Sequence, residues 1–86
     1  MNRSGDIIEV NGRNVTFYLR SKTDVAIKTA HQFLICKPEN QNHTKRMVLA
    51  KSAIKSGNIL TASELIDFMG GRVIIMTYKS EWYKWR

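Results

Sequence analysis

The chain has 86 residues, of which 43% are hydrophobic, and its 14 Lys and Arg residues exceed its 7 Asp and Glu residues, which gives a net charge of +7. The aromatic and branched content excludes the disordered class, and the length predicts one small basic domain, residues 1–86, with one core. A charge of this sign favours nucleic acid, an anionic membrane or an acidic protein surface as the partner.

The sequence also disfavours several classes of protein. It has no run of about 18 apolar residues and no signal-peptide core near the N-terminus, so we expect a cytoplasmic protein. Binding to a membrane surface is not expected either, because the basic segment at residues 45–56 has no Trp or Phe to enter the lipid interface. The single cysteine, Cys36, has no partner for an internal disulfide, which fits a reducing compartment. The chain contains no catalytic signature, phosphate-binding loop or cofactor motif, and we therefore predict a non-enzymatic protein without cofactors.

Residues 7–20 predict a β-hairpin, because two runs rich in β-forming residues flank an Asn-Gly pair. We expect Val10 to lie opposite Val15, and Ile8 opposite Phe17, since this register keeps the apolar side chains together. The predicted inner face is Ile8, Val10, Val15, Phe17 and Leu19, and the predicted outer face is Glu9, Thr16, Tyr18 and Arg20.

The segment from Thr23 to Cys36 supports two interpretations. Its apolar residues from Ala26 to Leu34 recur at helical spacing, and Pro38 would end a helix, so a helix is the first prediction. A short apolar run also fits a buried strand, and the alternative is a strand over residues 32–37. Residues 38–43 are predicted to form a polar loop.

The stretch Thr44–Asn58 contains four basic residues and no acid. It predicts a helix from Lys45 to Ser56, with Thr44 as the N-cap and Gly57 just after the end. At 100° per residue the sequence divides into two arcs, with Val48 on the polar side and Arg46 on the apolar side. The predicted inner arc is Met47, Leu49, Ala50, Ala53 and Ile54, and the outer arc is Lys45, Lys51, Ser52, Lys55 and Ser56.

A second helix is predicted to start at Thr61, where Thr61 and Glu64 have the spacing of a capping box, and to run to Met69 before Gly70 and Gly71 stop it. Residues 72–78 then predict a strand, and the continuous apolar run suggests that it is a middle strand buried on both faces beside the hairpin.

These elements predict an α+β fold, in which the N-terminal hairpin and the C-terminal strand share one small sheet and two or three helices between them pack on one face. If residues 32–37 are a strand instead, the expected fold is a four-stranded sheet with two helices.

The leading functional hypothesis is a nucleic-acid-binding or nucleoprotein-associated module, of DNA or RNA, because phosphate contacts need basic side chains gathered on one surface. A solvated lysine face that only keeps the protein soluble is the simpler alternative. A helix-turn-helix is disfavoured, because Glu64 and Asp67 would face the phosphates from the second helix. The predicted contacts on the first helix are Lys45, Arg46, Lys51 and Lys55.

The C-terminal tail interleaves aromatic and basic residues, a composition found in single-strand binders and in interface hot spots, although Trp82 and Tyr78 also suit core packing. Lys84, Trp85 and Arg86 are the expected secondary contacts. The rival function is a small inhibitor or adaptor, of the kind that phages and mobile elements encode, that binds an acidic or nucleic-acid-binding surface of a larger protein.

Two further possibilities rank lower. His31, Cys36 and His43 are too few, and too irregularly spaced, for a zinc site, so no metal is predicted. A minimal ribonuclease-like toxin would need one of these histidines beside Asp24, Glu39 or Glu64, and it ranks third because the sequence shows no recognisable arrangement of them.

Overall fold

A computed structural model describes residues 7–19 and 24–77. Five antiparallel strands form one sheet in the order β1-β2-β3-β4-β5, and two helices lie in sequence between β4 and β5. The α+β class is therefore confirmed, but the fold has five strands and two helices. The elements are β1 Glu9–Asn11, β2 Thr16–Leu19, β3 Val25–Lys28, β4 Phe33–Pro38, α1 Thr44–Lys55, α2 Ala62–Phe68 and β5 Val73–Thr77, with a 3₁₀ turn over Gln41–His43.

The hairpin of β1 and β2 forms in a different register, and its described core residues lie on their predicted faces. Ile8, which was predicted on the inner face, is 43% exposed, and Arg20 lies outside the described residues. Val10 pairs with Phe17 rather than with Val15, because four residues separate the strands and Asn14 adopts a left-handed conformation with φ 64°. A shift of two residues keeps each side chain on its face of the sheet, so Phe17 and Leu19 still point into the core. Gly12 lies so close to the Leu60 carbonyl oxygen that an added Cβ would overlap it.

The helix predicted over residues 23–36 is wrong, and the strand alternative over residues 32–37 matches β4 closely. Val25, Ala26 and Ile27 are all buried, because β3 lies in the middle of the sheet and has both faces covered. Such a strand shows no alternation, so its apolar residues happened to fit a helical spacing. The turn between β3 and β4 is held by Thr29, whose N–H donates to the Gln32 carbonyl oxygen at 2.9 Å.

The start and end of α2 agree with the prediction. The Thr61 hydroxyl accepts a hydrogen bond from the Glu64 N–H at 3.1 Å, and the Glu64 carboxylate accepts one from the Thr61 N–H at 3.2 Å. This capping box satisfies amides that a helix start leaves without partners, and a cap of this kind contributes about 1 kcal/mol. Gly70 and Gly71, both at positive φ, end the helix region.

The strand predicted over residues 72–78 exists as β5, but its predicted position is wrong. It pairs with β4 at the edge of the sheet, whereas the hairpin occupies the opposite edge. Ile74, Ile75 and Met76 are consequently exposed. An apolar run therefore did not distinguish a central strand from an edge strand in this chain.

The main core lies between the sheet and the two helices. Its buried members come from β2, β3, β4, both helices and the connection between them, so both helices pack on the same face. A smaller cluster around Ala26 and Ile35 occupies the opposite face, which we call the outer face. The buried residues of the main core are Phe17, Leu19, Val25, Ile27, Cys36, Met47, Ala50, Ile54, Ile59, Leu65 and Met69.

Candidate functional site

Helix α1 packs on the sheet through Met47, Ala50, Ala53 and Ile54, which are four of the five residues predicted for its inner arc. Met47, Ala50 and Ile54 are buried, whereas Leu49 is 55% exposed and Val48 is 51% exposed. The assignment of Leu49 to the inner arc is therefore wrong. The exposed arc of the helix, which we call the α1 surface, consists of Lys45, Val48, Leu49, Ser52 and Lys55.

The two ends of the α1 surface carry lysines. Lys45 and Lys55 are both exposed, and neither forms an ion pair with any residue that the structure describes. They are ten positions apart, which corresponds to about 15 Å along the helix axis. The first turn of α1 contains no acidic residue, so its side chains do not neutralise the positive end of the helix dipole.

Lys51 occupies a different environment. It is half-buried, and it lies close enough to Asp24, the residue before β3, for the two charges to interact. Burial lowers the pKa of its ammonium group, the nearby carboxylate of Asp24 acts in the opposite direction, and Lys55 lowers the pKa further. A lysine can occupy such a position because its aliphatic stem packs against apolar surface. The charge of Lys51 therefore already faces an acidic neighbour in the protein.

Arg46 makes contacts within the protein that the sequence did not predict. Its Nε donates a hydrogen bond to the Phe68 carbonyl oxygen at 3.0 Å, and its guanidinium carbon lies 4.8 Å from the centre of the Phe68 ring. This side chain thus joins the start of α1 to the end of α2, where the last carbonyl groups attract positive charge. The arrangement is that of a structural contact.

The acidic residues of α2, which disfavoured a helix-turn-helix, differ in their surroundings. Glu64 is engaged at the start of its own helix, where it accepts hydrogen bonds from the Leu60 and Thr61 amides. Asp67 is exposed. Negative charge at the first turn of a helix stabilises the helix, so the position of Glu64 has a local structural explanation.

The other predicted or considered residues do not gather in one site. Lys84, Trp85 and Arg86 lie outside the described residues. Cys36 is buried in the main core, His31 is exposed in the β3–β4 turn, and His43 precedes α1, where its Nδ1 is buried without a hydrogen-bond partner among the described residues. Within residues 7–19 and 24–77, no three His, Cys, Asp or Glu side chains are grouped as metal ligands would be.

Burial affects the chemistry of Cys36. It raises the pKa of the thiol from 9.0 to about 11, and the charge of Asp24 contributes in the same direction. The thiolate is the nucleophilic form of cysteine, so this residue is inert near neutral pH.

The sequence interpretation missed the apolar part of the α1 surface. Val48 already fell on the polar arc of the sequence pattern, which was the available signal, but Leu49 could be placed only once the helix was docked on the sheet.

Among the described residues, no helix has the length and apolar character needed to cross a membrane. No protein-family model, curated protein or solved structure matches this chain.

Proposed function

We propose that this protein is a non-enzymatic nucleic-acid-binding module whose α1 surface contacts phosphates through Lys45 and Lys55. The observation that carries the proposal is the exposure of both lysines on one helix without an acidic partner among the described residues. Contacts of Lys and Arg with phosphates supply most of the non-specific affinity for nucleic acid. The spacing of about 15 Å allows the two lysines to reach different phosphates of one strand.

The other two predicted contacts on α1, Arg46 and Lys51, are less suited to binding phosphates than Lys45 and Lys55. Lys51 is half-buried near Asp24, and Arg46 contacts Phe68, so both have roles inside the protein. Lys45 and Lys55 are therefore the better residues for testing the proposal. Substitution of Lys51 would remove a half-buried side chain and its interaction with Asp24 as well as a positive charge.

The test is a fluorescence-anisotropy titration of labelled mixed-sequence duplex and single-stranded oligonucleotides at about 50 and 200 mM salt. Lys45→Glu with Lys55→Glu should weaken binding by roughly tenfold or more at the lower salt, and the salt dependence should become less steep by about two contacts. The control is Arg13→Glu with Arg72→Glu, which makes the same charge change at two other exposed positions, although the Arg72 guanidinium lies 3.9 Å from the Glu39 carboxylate and its substitution also removes that ion pair. Equal losses in both variants, or no binding at low salt, would overturn the proposal.

A protein-binding inhibitor or adaptor is the second candidate function. The observation that favours it is the exposure of Val48 and Leu49 between the two lysines, because apolar residues within a charged surround are typical of protein interfaces. The same surface would then meet an acidic surface of a larger protein.

Substitution of the apolar pair separates these two functions. Val48→Ser with Leu49→Ser leaves the lysines in place, so binding to phosphates should change little. Binding to a protein partner should instead be lost. The second function is supported if the wild-type protein does not bind oligonucleotides at low salt but recovers one specific protein in a pull-down that the double variant does not recover.

A further inference from the structure

An open groove of about 480 Å³ lies at the end of the sheet where β3 turns into β4. Its lining is Lys28, Phe33 and Thr77 together with the turn residues 29–32. None of these residues is acidic, and two of them, Lys28 and His31, have basic side chains. The groove is open to solvent, so a ligand in it would be covered on one side only.

The turn that forms one wall of the groove is held by several hydrogen bonds. The Thr29 hydroxyl oxygen accepts from the Gln32 N–H at 3.1 Å and from the His31 N–H at 3.4 Å. The antiparallel register places Phe33 opposite Lys28, and Thr77 lies beside Leu34 on the neighbouring strand. The groove therefore brings one aromatic ring, basic side chains and several hydrogen-bonding groups together on a fixed scaffold.

The aromatic wall is positioned by a second ring on the outer face. Phe33 and Tyr18 meet edge to face, with their ring centres 5.9 Å apart and an interplanar angle of 76°. The strand between them contributes Ala26, which is fully buried and small enough to let the two rings approach each other. Edge-to-face pairs are favourable, so this contact restricts the orientation of Phe33.

We propose that this groove is a stacking site for one unpaired base of a single-stranded nucleic acid. Phe33 supplies the aromatic surface, Lys28 attracts the adjoining phosphate, and Thr29, His31 and Gln32 offer groups that can hydrogen-bond the nucleotide. A paired base inside a duplex is already stacked and does not enter such a groove. The lack of acidic lining residues matches the negative charge of the ligand.

This site differs from the α1 surface in both residues and ligand. The α1 surface lies on the helix layer and contacts phosphates of any nucleic acid, whereas the groove lies at the β3–β4 turn and selects an unstacked base. The groove proposal does not rest on the α1 proposal, and each has its own variants.

The experiment uses a single-stranded hexanucleotide that contains one 2-aminopurine, whose fluorescence falls when the base stacks on an aromatic ring. Titration of wild-type protein should give saturable quenching. Because stacking of one base contributes about 1–3 kcal/mol by substitution, Phe33→Leu should remove the quenching and weaken binding by about fivefold or more. The matched control is Phe68→Leu, which changes another half-buried phenylalanine on the helix side and should keep the quenching.

A second variant keeps the proposal testable if Phe33→Leu does not fold. Lys28→Gln should retain the quenching amplitude but weaken the affinity and lower the salt slope by about 0.7. Arg13→Gln removes one positive charge at an exposed position outside both the groove and the α1 surface, so it should keep the quenching amplitude and change the affinity less than Lys28→Gln does. Wild-type binding without quenching, equal quenching in folded Phe33→Leu, or an unchanged affinity in Lys28→Gln would overturn the groove proposal.

Discussion

The two faces of the sheet differ in how their side chains are covered. The face under the helices buries a cluster drawn from β2, β3, β4, α1 and α2, whereas the outer face has only Ala26 and Ile35 as buried apolar residues among those described. Burial of apolar surface is the main favourable term in folding, so most of the stability should come from the helix side. The outer face can therefore carry an aromatic pair and lysines at little cost to the fold.

The sharpest comparison of the two faces replaces one phenylalanine on each. Phe17 is fully buried beneath the helices, and Phe33 is half-buried on the outer face. Phe17→Ala should lower the free energy of unfolding by about 3–5 kcal/mol because it leaves a cavity, and Phe33→Ala should lower it by roughly half as much. Urea denaturation of the two variants measures both values. A larger loss for Phe33→Ala would contradict the assignment of stability to the helix side.

Cys36 allows the helix side to be probed by pH. Its pKa is raised to about 11 in the folded protein, so the unfolded chain loses the thiol proton first as the pH rises above 9.0. The unfolded state binds fewer protons in this window, and the free energy of unfolding should fall between pH 9.0 and about 11, by roughly 3 kcal/mol in total. Below pH 9.0 the contribution of this group should not vary with pH.

The control for this titration is Cys36→Ala, which retains the lysines that also titrate at high pH. The free-energy difference between wild type and variant should be constant up to about pH 9 and should then shrink as the pH approaches 11. A thiol reagent at about pH 8 should react with Cys36 in urea but hardly at all in the folded protein. Rapid reaction of the folded protein would show that the helix side is open to solvent.

The sequence predicted local features of the fold better than tertiary ones. The start of α2 was predictable because Thr61 and Glu64 are neighbours in the chain and satisfy each other's amides. The hairpin faces were predictable because alternation survives a shift of two residues. The position of β5 in the sheet was not predictable, because its apolar residues suit a central strand as well as an edge strand. Only its pairing with β4 decides between the two positions.

In the candidate site, too, local features could be predicted from the sequence and tertiary contacts could not. Charged side chains avoid the core, and this rule alone correctly predicts that Lys45 and Lys55 are exposed. The same rule failed for Lys51, whose aliphatic stem allows half-burial near Asp24. It also could not reveal that Arg46 would contact Phe68, because that contact joins residues 22 positions apart.

Substitution of Arg46 should have a smaller effect on stability than the changes above, and it tests how much the contact between α1 and α2 contributes. Arg46→Ala removes one hydrogen bond to the Phe68 carbonyl oxygen and a contact with its ring, which should together lower the free energy of unfolding by about 1 kcal/mol. Lys45→Ala, one position earlier on the same helix, removes an exposed side chain without such contacts and should change stability by less than about 0.5 kcal/mol.

The same two variants should rank in the opposite order for oligonucleotide binding. The guanidinium of Arg46 is engaged with Phe68, whereas the ammonium group of Lys45 forms no ion pair with a described residue. Lys45→Ala should therefore weaken binding more than Arg46→Ala, although each removes one positive charge. If Arg46→Ala left stability unchanged and weakened binding more, then Arg46 would belong with the exposed lysines, and the helix layer would not depend on its contact with Phe68.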